Sequence, residues 1–425
     1  MRVVHINKSD VKGGAAVAAS RIVSSLRGMD VEASMLVAEK LGQDDWSVSI
    51  ANSRREKAKV MFFFLQEVAA FLPHEKSKTS RFAFSLARRG FNLSKHPLIM
   101  EADIIHLHWF NQGFLSLKGL EKIFQLGKPV VWTLHDMWSF TGGCHYAGSC
   151  EGYQKSCGSC PLIQDASPND ISAVQHGKKQ MAYNNAPLSI VTCSQWLGSV
   201  ARQSSLLKHH RVTSIPNPID TDFYAPVPRQ EARKRLNLPL DKKILLFGAA
   251  NVADPRKGIA LLLHALKLLS TRKHADQIEL VIFGKTPPRL AEKLPFPARL
   301  MHYVSDADTL VDLYNAADVF VLPSLEDNLP NTVMEALSCG TPVAAFRIGG
   351  VPEMVAHGIC GYLAAPGDAG GLAEGIEYLL FKCSEQACRE NAREKVLNNF
   401  APELVAKQYL QLYLQLLSEK GGDNE

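Results

Sequence analysis

One block of the sequence, from Pro323 to Glu353, places two acidic side chains where a strand gives way to a helix. Asp327 lies in the polar stretch after the apolar run DVFVLPS, and Glu335 lies within the following helical stretch. A carboxylate offers several acceptor lone pairs, so it can bind the vicinal hydroxyl groups of a ribose or a sugar. Ligands of open parallel sheets bind at this carboxyl end of the strands. The block therefore predicts a binding site for a sugar or a nucleotide.

The helix in this block is predicted to begin near Pro330, with Asn328 or Leu329 close to its cap. Its first N–H groups would favour the negative charge of a phosphate. The pair Gly349-Gly350 follows the next strand and permits a close approach of the backbone. In the alternative interpretation, the helical acid pairs locally and the glycines only turn the chain. We favour a binding site because its parts occur in order at strand ends.

Two cations, Arg256 and Lys257, lie at another strand-to-helix turn, in the segment GAANVADPRKG after the apolar run ILLF. A cation at a helix N-terminus is unfavourable unless an anion compensates it. A diphosphate leaving group gains charge as its bond to a sugar breaks, and paired cations with helix dipoles would stabilise it. The alternative is a solvated Arg-Lys pair. The sequence thus predicts that this turn holds phosphates.

Two features of the first half end or follow predicted strands. Gly13-Gly14 lies between the first strand and the first helix, where small residues let a backbone amide approach a phosphate or sugar. Helix–strand packing explains such a loop about as well. His135-Asp136 ends the strand PVVWTL, at the same kind of edge. A buried histidine is more often a hydrogen-bonded core residue, which is the alternative here.

A second pair of histidines, His106 and His108, ends the strand that continues into HWFN. His108 and Trp109 are predicted to line the cleft for an acceptor, on weaker grounds than His135.

Four cysteines are clustered in the segment GGCHYAGSCEGYQKSCGSC, at Cys144, Cys150, Cys157 and Cys160, with His145 as a spare ligand. Four thiolates in a short loop can close a tetrahedral structural zinc site. The cluster contains one CxxC rather than two, and free thiols in a loop are the alternative. Because the loop directly follows His135, it would lie beside the cleft and shape the entry of an acceptor.

Residues 54–95 carry ten basic and three acidic residues, a local charge of +7 in a chain of +5. They include the apolar run VMFFFLQEVAAFL, Val60–Leu72, which is too short to span a bilayer. An apolar helix with basic flanks suits the surface of an anionic membrane. A packed helix with solvated lysines is an equally weighted alternative.

Short β-branched runs alternate with helical stretches along the chain, which predicts an α/β fold of two doubly wound domains. Near-continuous apolar runs suit strands buried on both faces of a parallel sheet. We expect an N-terminal domain over 1–216, a C-terminal domain over 217–400, and a final helix and tail over 401–425. The strand candidates are Arg2–Asn7, Ala33–Ala38, Asp103–Trp109, Pro129–His135, Ser189–Cys193, Lys243–Ala249, Glu279–Gly284, Leu300–Val304, Asp318–Pro323 and Pro342–Phe346.

The tail, Pro402–Lys420, predicts an amphipathic helix that must dock on the rest of the protein, with the first domain as one option. Its apolar positions are Leu404, Val405, Tyr409, Leu412, Tyr413 and Leu416. The start MRVVHINKSD lacks the long apolar stretch of a secretory signal, and no run of about 18 apolar residues exists. Nine cysteines without an export signal favour a reducing compartment. We therefore expect a cytoplasmic protein.

The acidic block resembles the donor site of the retaining GT-B glycosyltransferases of family 4. Their pattern has an acid, seven intervening residues and a glutamate, which Asp327 and Glu335 match. Aspartate stands where glutamate is commoner. The resemblance implies two Rossmann-like domains facing across a cleft. It also implies that Glu335 binds the nucleotide ribose, while Asp327 and the backbone from Asn328 to Pro330 face the donor sugar.

Other residues extend this resemblance. Lys257 matches the family lysine before a glycine, whereas the family arginine would fall at Ala249 or Ala250, so Arg256 is the candidate to replace it. Gly13 and Gly14 match the glycine loop. The histidine of TLHD, His135, matches the one that hydrogen-bonds the transferred sugar. Over nearly its whole length, the chain is similar to exopolysaccharide transferases of the colanic-acid type.

These expectations combine into one function, a glycosyltransferase of the hexosyl type in the synthesis of cell-surface polysaccharide. It would move a sugar from an NDP-sugar to a glycan or lipid-linked acceptor, with retention of configuration and without a catalytic metal or other cofactor. Its partners would be the donor, the acceptor and, through residues 54–95, the inner face of an anionic membrane, but no nucleic acid. A GT-B nucleotide-sugar epimerase and a non-catalytic glycan-binding protein are the alternatives.

Overall fold

The computed structural model describes residues 1–304 and 306–422, which form two compact units. The first unit contains Met1–Pro218 together with the chain from Glu403 onward, and the second contains Ile219–Pro402. Each unit is built on one parallel sheet, as the alternation of strands and helices predicts. None of the helices in the described ranges combines the length and apolar composition that a membrane crossing requires.

The first sheet has seven parallel strands in the order β3-β2-β1-β4-β5-β6-β7. The strand order reverses between β1 and β4, so the loops that follow these two strands diverge and leave room for a ligand. The strands are β1 (Arg2–Ser9), β2 (Glu32–Glu39), β3 (Ser47–Ser49), β4 (Ile104–Leu107), β5 (Val130–Leu134), β6 (Leu188–Thr192) and β7 (Arg211–Ser214).

Four helices of the first unit begin at short polar side chains that accept hydrogen bonds from the first turn. Ser53 forms a capping box with Glu56 at the start of α2, and Ser116, Asp170 and Ser194 cap α4, α5 and α6. The helices are α1 (Gly14–Arg27), α2 (Arg54–Phe71), α3 (Pro97–Glu101), α4 (Leu117–Phe124), α5 (Ile171–Tyr183) and α6 (Gln195–Gln203).

The second sheet has six parallel strands in the order β10-β9-β8-β11-β12-β13, with its reversal between β8 and β11. The strands are β8 (Lys243–Asn251), β9 (Ile278–Lys285), β10 (Ala298–Leu300), β11 (Val319–Leu322), β12 (Val343–Phe346) and β13 (Gly361–Ala364). The helices are α7 (Arg229–Arg235), α8 (Ile259–Leu269), α9 (Ala307–Ala316), α10 (Asn331–Ser338), α11 (Val351–Met354), α12 (Ala369–Phe381) and α13 (Glu385–Phe400).

The last helix, α14 (Pro402–Gly422), packs on the first sheet rather than on the unit that precedes it. Val405, Ala406 and Leu412 join a buried cluster with strand residues of β1, β4, β5 and β6. The hydroxyl of Tyr413 lies 2.6 Å from Nδ1 of His106 on β4, and the hydroxyl of Tyr409 lies 3.0 Å from Oγ1 of Thr133 on β5. The helix therefore covers one face of the first sheet.

Some sequence-based expectations were wrong in detail. The strand predicted over Leu300–Val304 ends at Leu300, because His302 adopts a positive φ of 53° and turns the chain. Leu404 is exposed, not part of the apolar face of α14. The strands β3, β7 and β13 were missed. Each is a short strand at the edge of its sheet and lacks the continuous apolar run that identifies the buried central strands.

Replacing Tyr413 with phenylalanine tests how α14 is anchored. The substitution removes only the hydroxyl and leaves Nδ1 of the buried His106 without its partner. We expect the free energy of unfolding to fall by about 1–3 kcal/mol, the usual cost of an unsatisfied buried polar group. Urea unfolding measures it. The control Leu414→Ala, at an exposed position of the same helix, should change stability little. Equal effects of the two substitutions would show that this hydrogen bond contributes nothing specific.

Candidate functional site

In the second unit, the loops after β8 and β11 are held together by their backbones. Leu325 N donates a 2.8 Å hydrogen bond to the carbonyl of Arg256. Gly258 ends the short 3-10 turn Pro255–Lys257 with a φ of 69°. A Cβ at this glycine would lie 1.8 Å from the carbonyl oxygen of Pro323, so only glycine fits. The turn that carries the two predicted cations therefore adjoins the loop that carries the predicted acid.

Lys257 and Asp327 form an ion pair across these two loops, with Nζ 2.6 Å from Oδ2. The side chains are 27% and 13% exposed, so the pair is partly shielded but still reachable from solvent. An anionic ligand could replace Asp327 as the partner of Lys257, because the lysine is already partly exposed to solvent. The structure thus brings together two residues that lie 70 positions apart in the sequence.

Arg256 has a different partner from its neighbour. Its guanidinium binds the carboxylate of Asp254, with Nη2 2.7 Å from Oδ2, in a pair within its own turn. Burial by itself would raise the pKa of Asp254, but the hydrogen bond and charge of Arg256 outweigh burial and lower it. Lys257 therefore reaches across to the loop after β11, whereas this contact keeps Arg256 on its own side.

Glu335 is buried in the second turn of α10 and is oriented by a neighbouring helix. The hydroxyl of Tyr314 on α9 donates a 2.8 Å hydrogen bond to its Oε2. Burial, and then the nearby Glu335 carboxylate, raise the pKa of Tyr314 well above its usual value, so the phenol stays protonated and donates. Pro330 occupies the N-cap position of α10, and its own side chain makes no capping hydrogen bond. The N–H groups at the start of the helix favour negative charge.

The predicted glycine pair packs against the acidic loop itself. Gly349 has a φ of 48°, and a Cβ there would lie 1.8 Å from the carbonyl oxygen of Asp327. Gly350 N donates a 2.8 Å hydrogen bond to the carbonyl of Asn328. Asn328 and Leu329 are buried beneath this contact. The two glycines therefore hold the loop in place. The sequence pattern alone could not show whether they approach this loop or a ligand.

Ser324 is a polar residue of this loop that sequence reasoning missed. Its hydroxyl oxygen is buried and has no hydrogen-bond partner among the described residues. Buried hydroxyls are nearly always paired, so an unpaired one at the carboxyl end of a strand indicates a position that a ligand or water completes. A serine directly after an apolar strand was the available signal.

In the first unit, the glycine loop adopts a conformation that needs glycine for its backbone alone. Gly13 caps α1 with a φ of 96°, and a Cβ there would meet nothing within 4 Å. Gly14 is the first residue of the helix. The space above the loop is therefore open, as a loop that admits a ligand requires.

His135 lies at the end of β5, where a small pocket is lined by residues that follow β4 and β5. Its Nε2 is 3.1 Å from Nδ1 of His108, and Nε2 of His108 is 2.9 Å from Nδ1 of His5. Next to it, Asp136 accepts hydrogen bonds from Nε1 of Trp109, at 3.1 Å, and from His145, at 2.7 Å. The side chains of His135 and Asp136 are thus both held by side chains from other loops.

His5 was missed by the sequence analysis, although it completes the histidine cluster. It is the register partner of His106 across β1 and β4, so their rings lie 4.5 Å apart. Burial lowers the pKa of His5 to about 3 and that of His135 to about 4, and it lowers the pKa of His106 and His108 well below 6.5. All four imidazoles are therefore neutral at neutral pH.

The cysteine loop was predicted to hold a structural zinc ion. Among the described residues, no three of the sulfurs of Cys144, Cys150, Cys157 and Cys160 approach within 4.8 Å of one another. Burial raises the pKa of Cys144 to about 12 and that of Cys160 to about 11, so these thiols stay protonated. Zinc binding by this loop remains a prediction, without a preformed set of thiolates.

A buried lysine was also missed, and it holds the backbone at the start of this loop. Nζ of Lys179 lies 3.6 Å from the ring centroid of Trp138 and donates a 3.0 Å hydrogen bond to the carbonyl of Thr141. Burial lowers the pKa of Lys179 to about 7. The lysine therefore anchors the segment that directly follows His135 and Asp136.

Comparisons with known families agree with this two-part architecture. Residues 12–223 match the family model described as Glycosyltransferase Family 4, and residues 241–382 match the one described as Glycosyl transferases group 1. The first match covers the unit with the glycine loop and the histidines. The second covers β8 to α12, including the Lys257–Asp327 pair and Glu335.

Two curated relatives have similar sequences over part of their length. WcaC of Escherichia coli, named as a glycosyl transferase of colanic acid biosynthesis, is 29% identical over 284 residues, which cover 64% of this chain and 65% of WcaC. D-inositol 3-phosphate glycosyltransferase 2 of Catenulispora acidiphila is 34% identical over 184 residues, which cover 40% of this chain and 42% of the relative. The alignments thus span less than two thirds of either relative.

Solved structures extend the likeness to nearly the whole chain. Sucrose-phosphate synthase of Thermosynechococcus elongatus superimposes with a TM-score of 0.67 at 20% identity, covering 99% of this chain and all of the other. Anabaena HepE in complex with UDP superimposes with a TM-score of 0.64 at 15% identity, covering 98% of this chain and all of HepE. At such identities the likeness establishes a shared fold.

The buried imidazoles predict a loss of stability as the pH falls below 6.5. The unfolded chain binds protons near the ordinary histidine pKa of 6.5, whereas folded His5 and His135 stay neutral down to about 3 and 4. Because the unfolded state binds more protons in this window, each such group lowers the free energy of unfolding by up to about 1.4 kcal/mol per pH unit. Urea unfolding at several pH values between 7 and 5 measures the slope.

Two variants make this measurement specific. His5→Asn should reduce the pH slope because it removes one buried imidazole. His209→Asn, at an exposed position of the same unit, should leave the slope unchanged. Stability that does not vary with pH across this window would contradict the assignment of neutral, buried histidines.

Proposed function

This chain is a glycosyltransferase of family 4 with the GT-B fold, and we propose that it transfers a sugar from a nucleoside diphosphate donor with retention of anomeric configuration. The observation that carries the proposal is the Lys257–Asp327 pair at the ends of β8 and β11. A partly shielded cation lies there beside an acid that can face a sugar, and Glu335 is buried on the next helix. Lys257 suits the phosphates of such a donor, Asp327 its sugar and Glu335 its ribose.

We propose that Lys257 binds the diphosphate of the donor. In the structure it pairs with Asp327, and a diphosphate, which carries more negative charge than one carboxylate, would attract the lysine more strongly. The unit also supplies the first turn of α10, whose N–H groups favour negative charge. HepE, which shares the fold, has been solved with UDP and with UDP-glucose, and this likeness supports an NDP-sugar donor for the chain.

Glu335 is proposed to bind the hydroxyls of the ribose, and Asp327 with the backbone from Asn328 to Pro330 is proposed to face the donor sugar. The hydrogen bond from Tyr314 occupies Oε2 of Glu335 and fixes the direction of the carboxylate. The close packing of Gly349 against the carbonyl of Asp327 keeps the acidic loop rigid. Such preorganisation lowers the entropic cost of orienting the donor.

The proposed transfer exchanges one bond for another at the anomeric carbon of the donor. The bond from this carbon to the diphosphate oxygen breaks, and the acceptor oxygen bonds to the same face. The proton of the acceptor passes to the departing diphosphate. Lys257 and the dipole of α10 stabilise the charge that develops on this leaving group. Arg256 would add a second cation after its carboxylate partner, Asp254, releases it.

The first unit is proposed to bind the acceptor. Gly13 leaves open space just before α1, which begins at Gly14, and a backbone N–H can approach a phosphate or sugar there. His135 is proposed to hydrogen-bond the transferred sugar, since it lies at a strand end and lines a pocket. By similarity to WcaC, the acceptor is proposed to be a glycan or lipid-linked glycan of cell-surface polysaccharide.

A membrane contact through α2 is the remaining part of the proposal. Met61, Phe62 and Leu65 expose 56%, 56% and 54% of their surface on this helix, whereas Glu67 and Phe71 are buried. The basic residues of this helix, at positions 54, 55, 57 and 59, are also exposed. Exposed apolar side chains with basic neighbours match the interface of an anionic bilayer at the cytoplasmic face.

Replacing Lys257 with alanine tests the donor site. We expect the transfer rate to fall by about 100-fold or more, as it does when one group that stabilises a leaving charge is lost. The assay measures nucleotide release from a panel of UDP-, GDP- and ADP-sugars, with and without a lipid-linked acceptor. The control Lys273→Ala changes an exposed lysine of the same unit and should leave the rate unchanged.

Three outcomes would count against this assignment. Full activity of the Lys257→Ala variant would remove the lysine from the mechanism. Interconversion of sugars without acceptor would identify an epimerase, and the absence of turnover with every donor would indicate a binding protein. Circular dichroism of the variant checks that the fold is intact.

Replacing Phe62 with serine tests the membrane contact. We expect weaker sedimentation with vesicles that contain anionic phospholipid, because burial of this side chain is worth about 1.5–3 kcal/mol. Met181→Ser is the control, since Met181 is also a highly exposed apolar residue of the first unit but lies on α5. Equal binding by both variants and the unaltered protein would reject α2 as the contact.

A further inference from the structure

The buried histidines form a directed hydrogen-bond chain that ends at His135. Nε2 of His135 meets Nδ1 of His108 at 3.1 Å, and Nε2 of His108 meets Nδ1 of His5 at 2.9 Å. His5 and His108 are almost completely inaccessible, whereas His135 is partly exposed at the strand end. The chain thus leads from the core of the sheet to the residue that we place at the transferred sugar.

A neutral imidazole carries one proton, so the two hydrogen bonds of the chain must point in the same direction. In the first arrangement, His5 donates from Nδ1 to His108, and His108 donates from Nδ1 to His135. In the second, both bonds are reversed, and His135 donates from Nε2. The choice of direction therefore decides which nitrogen of His135 carries its proton.

The inner end of the chain distinguishes these arrangements. Nε2 of His5 is buried and has no hydrogen-bond partner among the described residues. In the first arrangement this atom is a bare acceptor, and in the second it is an N–H donor. Buried N–H groups without a partner are rarer than under-satisfied acceptors, so the first arrangement is favoured. It places the proton of His135 on Nδ1.

His106 holds the chain in place without taking part in it. Its ring lies 4.5 Å from that of His5 and 4.3 Å from that of His108. Both of its nitrogens bind elsewhere, to the hydroxyl of Tyr413 at 2.6 Å and to Oγ1 of Thr133 at 2.7 Å. Since burial keeps every ring neutral, the chain can transmit only a tautomer and not a charge.

A metal ion is the competing explanation for the cluster. Ring nitrogens of His5, His106 and His108 lie within 4.8 Å of one another. However, His106 and His108 already use both nitrogens in hydrogen bonds, so a cation would have to displace several of them. The hydrogen-bond chain accounts for the geometry without that cost.

We propose that His5 and His108 are positioning residues that hold His135 in its Nδ1–H tautomer. His135 then accepts through Nε2 inside the protein and offers its Nδ1 proton to an acceptor oxygen, such as a hydroxyl of the transferred sugar. This use of the proton rests on the proposed function. The tautomer itself does not, because it is argued from the hydrogen bonds of His5 and His108.

Nuclear magnetic resonance of the whole protein with ¹⁵N-labelled histidine tests the tautomer. The ring nitrogens of His135, assigned by the loss of its signals in His135→Asn, should show a protonated Nδ1 and a bare Nε2 at neutral pH. A protonated Nε2 would overturn the proposal. Histidine signals that shift when the protein is treated with a metal chelator would overturn it in favour of a bound cation.

Two substitutions of His5 separate positioning from packing. A carboxylate in His5→Asp can only accept from Nε2 of His108, so the chain should reverse and the proton of His135 should move to Nε2. The amide in His5→Asn can still donate, so the original tautomer should persist. An unchanged His135 in folded His5→Asp would show that the chain does not control it. If His5→Asp does not fold, the spectrum of the unaltered protein decides.

These spectra separate the two proposals. A protein with the expected tautomer but no acceptor-dependent nucleotide release would retain the positioning chain and lose the proposed function. Active transfer by a protein whose His135 carries its proton on Nε2 would retain the function and reject the chain.

Discussion

The ion pair between Lys257 and Asp327 joins the two strand ends on which the candidate donor site depends. It forms because β8 and β11 are adjacent and parallel, so their following loops leave the sheet at the same edge. Gly258, after β8, and Gly349, after β12, each approach the backbone of the loop after β11 more closely than a side chain would allow. The charges are therefore held by a rigid framework, and binding of an anion requires little rearrangement beyond the exchange of one partner.

In the first unit, adjacent parallel strands likewise bring side chains together, but these are neutral imidazoles rather than charged groups. His5 and His106 lie opposite one another because β1 and β4 pair in register, and β5 brings Thr133 and His135 alongside. Helix α14 closes this face and supplies the hydroxyl of Tyr413. A helix from the end of the chain thus satisfies a polar group deep in the first sheet.

Candidate site residues that are adjacent in the sequence do not always have the same partners in the structure. Arg256 and Lys257 are adjacent in sequence, but one binds an acid of its own turn and the other crosses to the next loop. Near the cysteine loop, likewise, buried thiols that stay protonated lie close to Lys179, which binds carbonyl groups of the preceding segment. Composition and spacing identify such clusters, whereas the direction of each side chain determines what they do.

The sequence by itself determined the two parallel sheets, most strand positions, the helix Asn331–Ser338 and the acid-to-glutamate spacing, because these depend on local periodicity and on residue type. Only the tertiary structure decided which groups meet. The role of Gly349 as a packing surface for Asp327, the chain from His5 to His135 and the docking of α14 arise from contacts between distant segments. Local patterns carry no information about such contacts, because strand order and register are set by packing of the whole sheet.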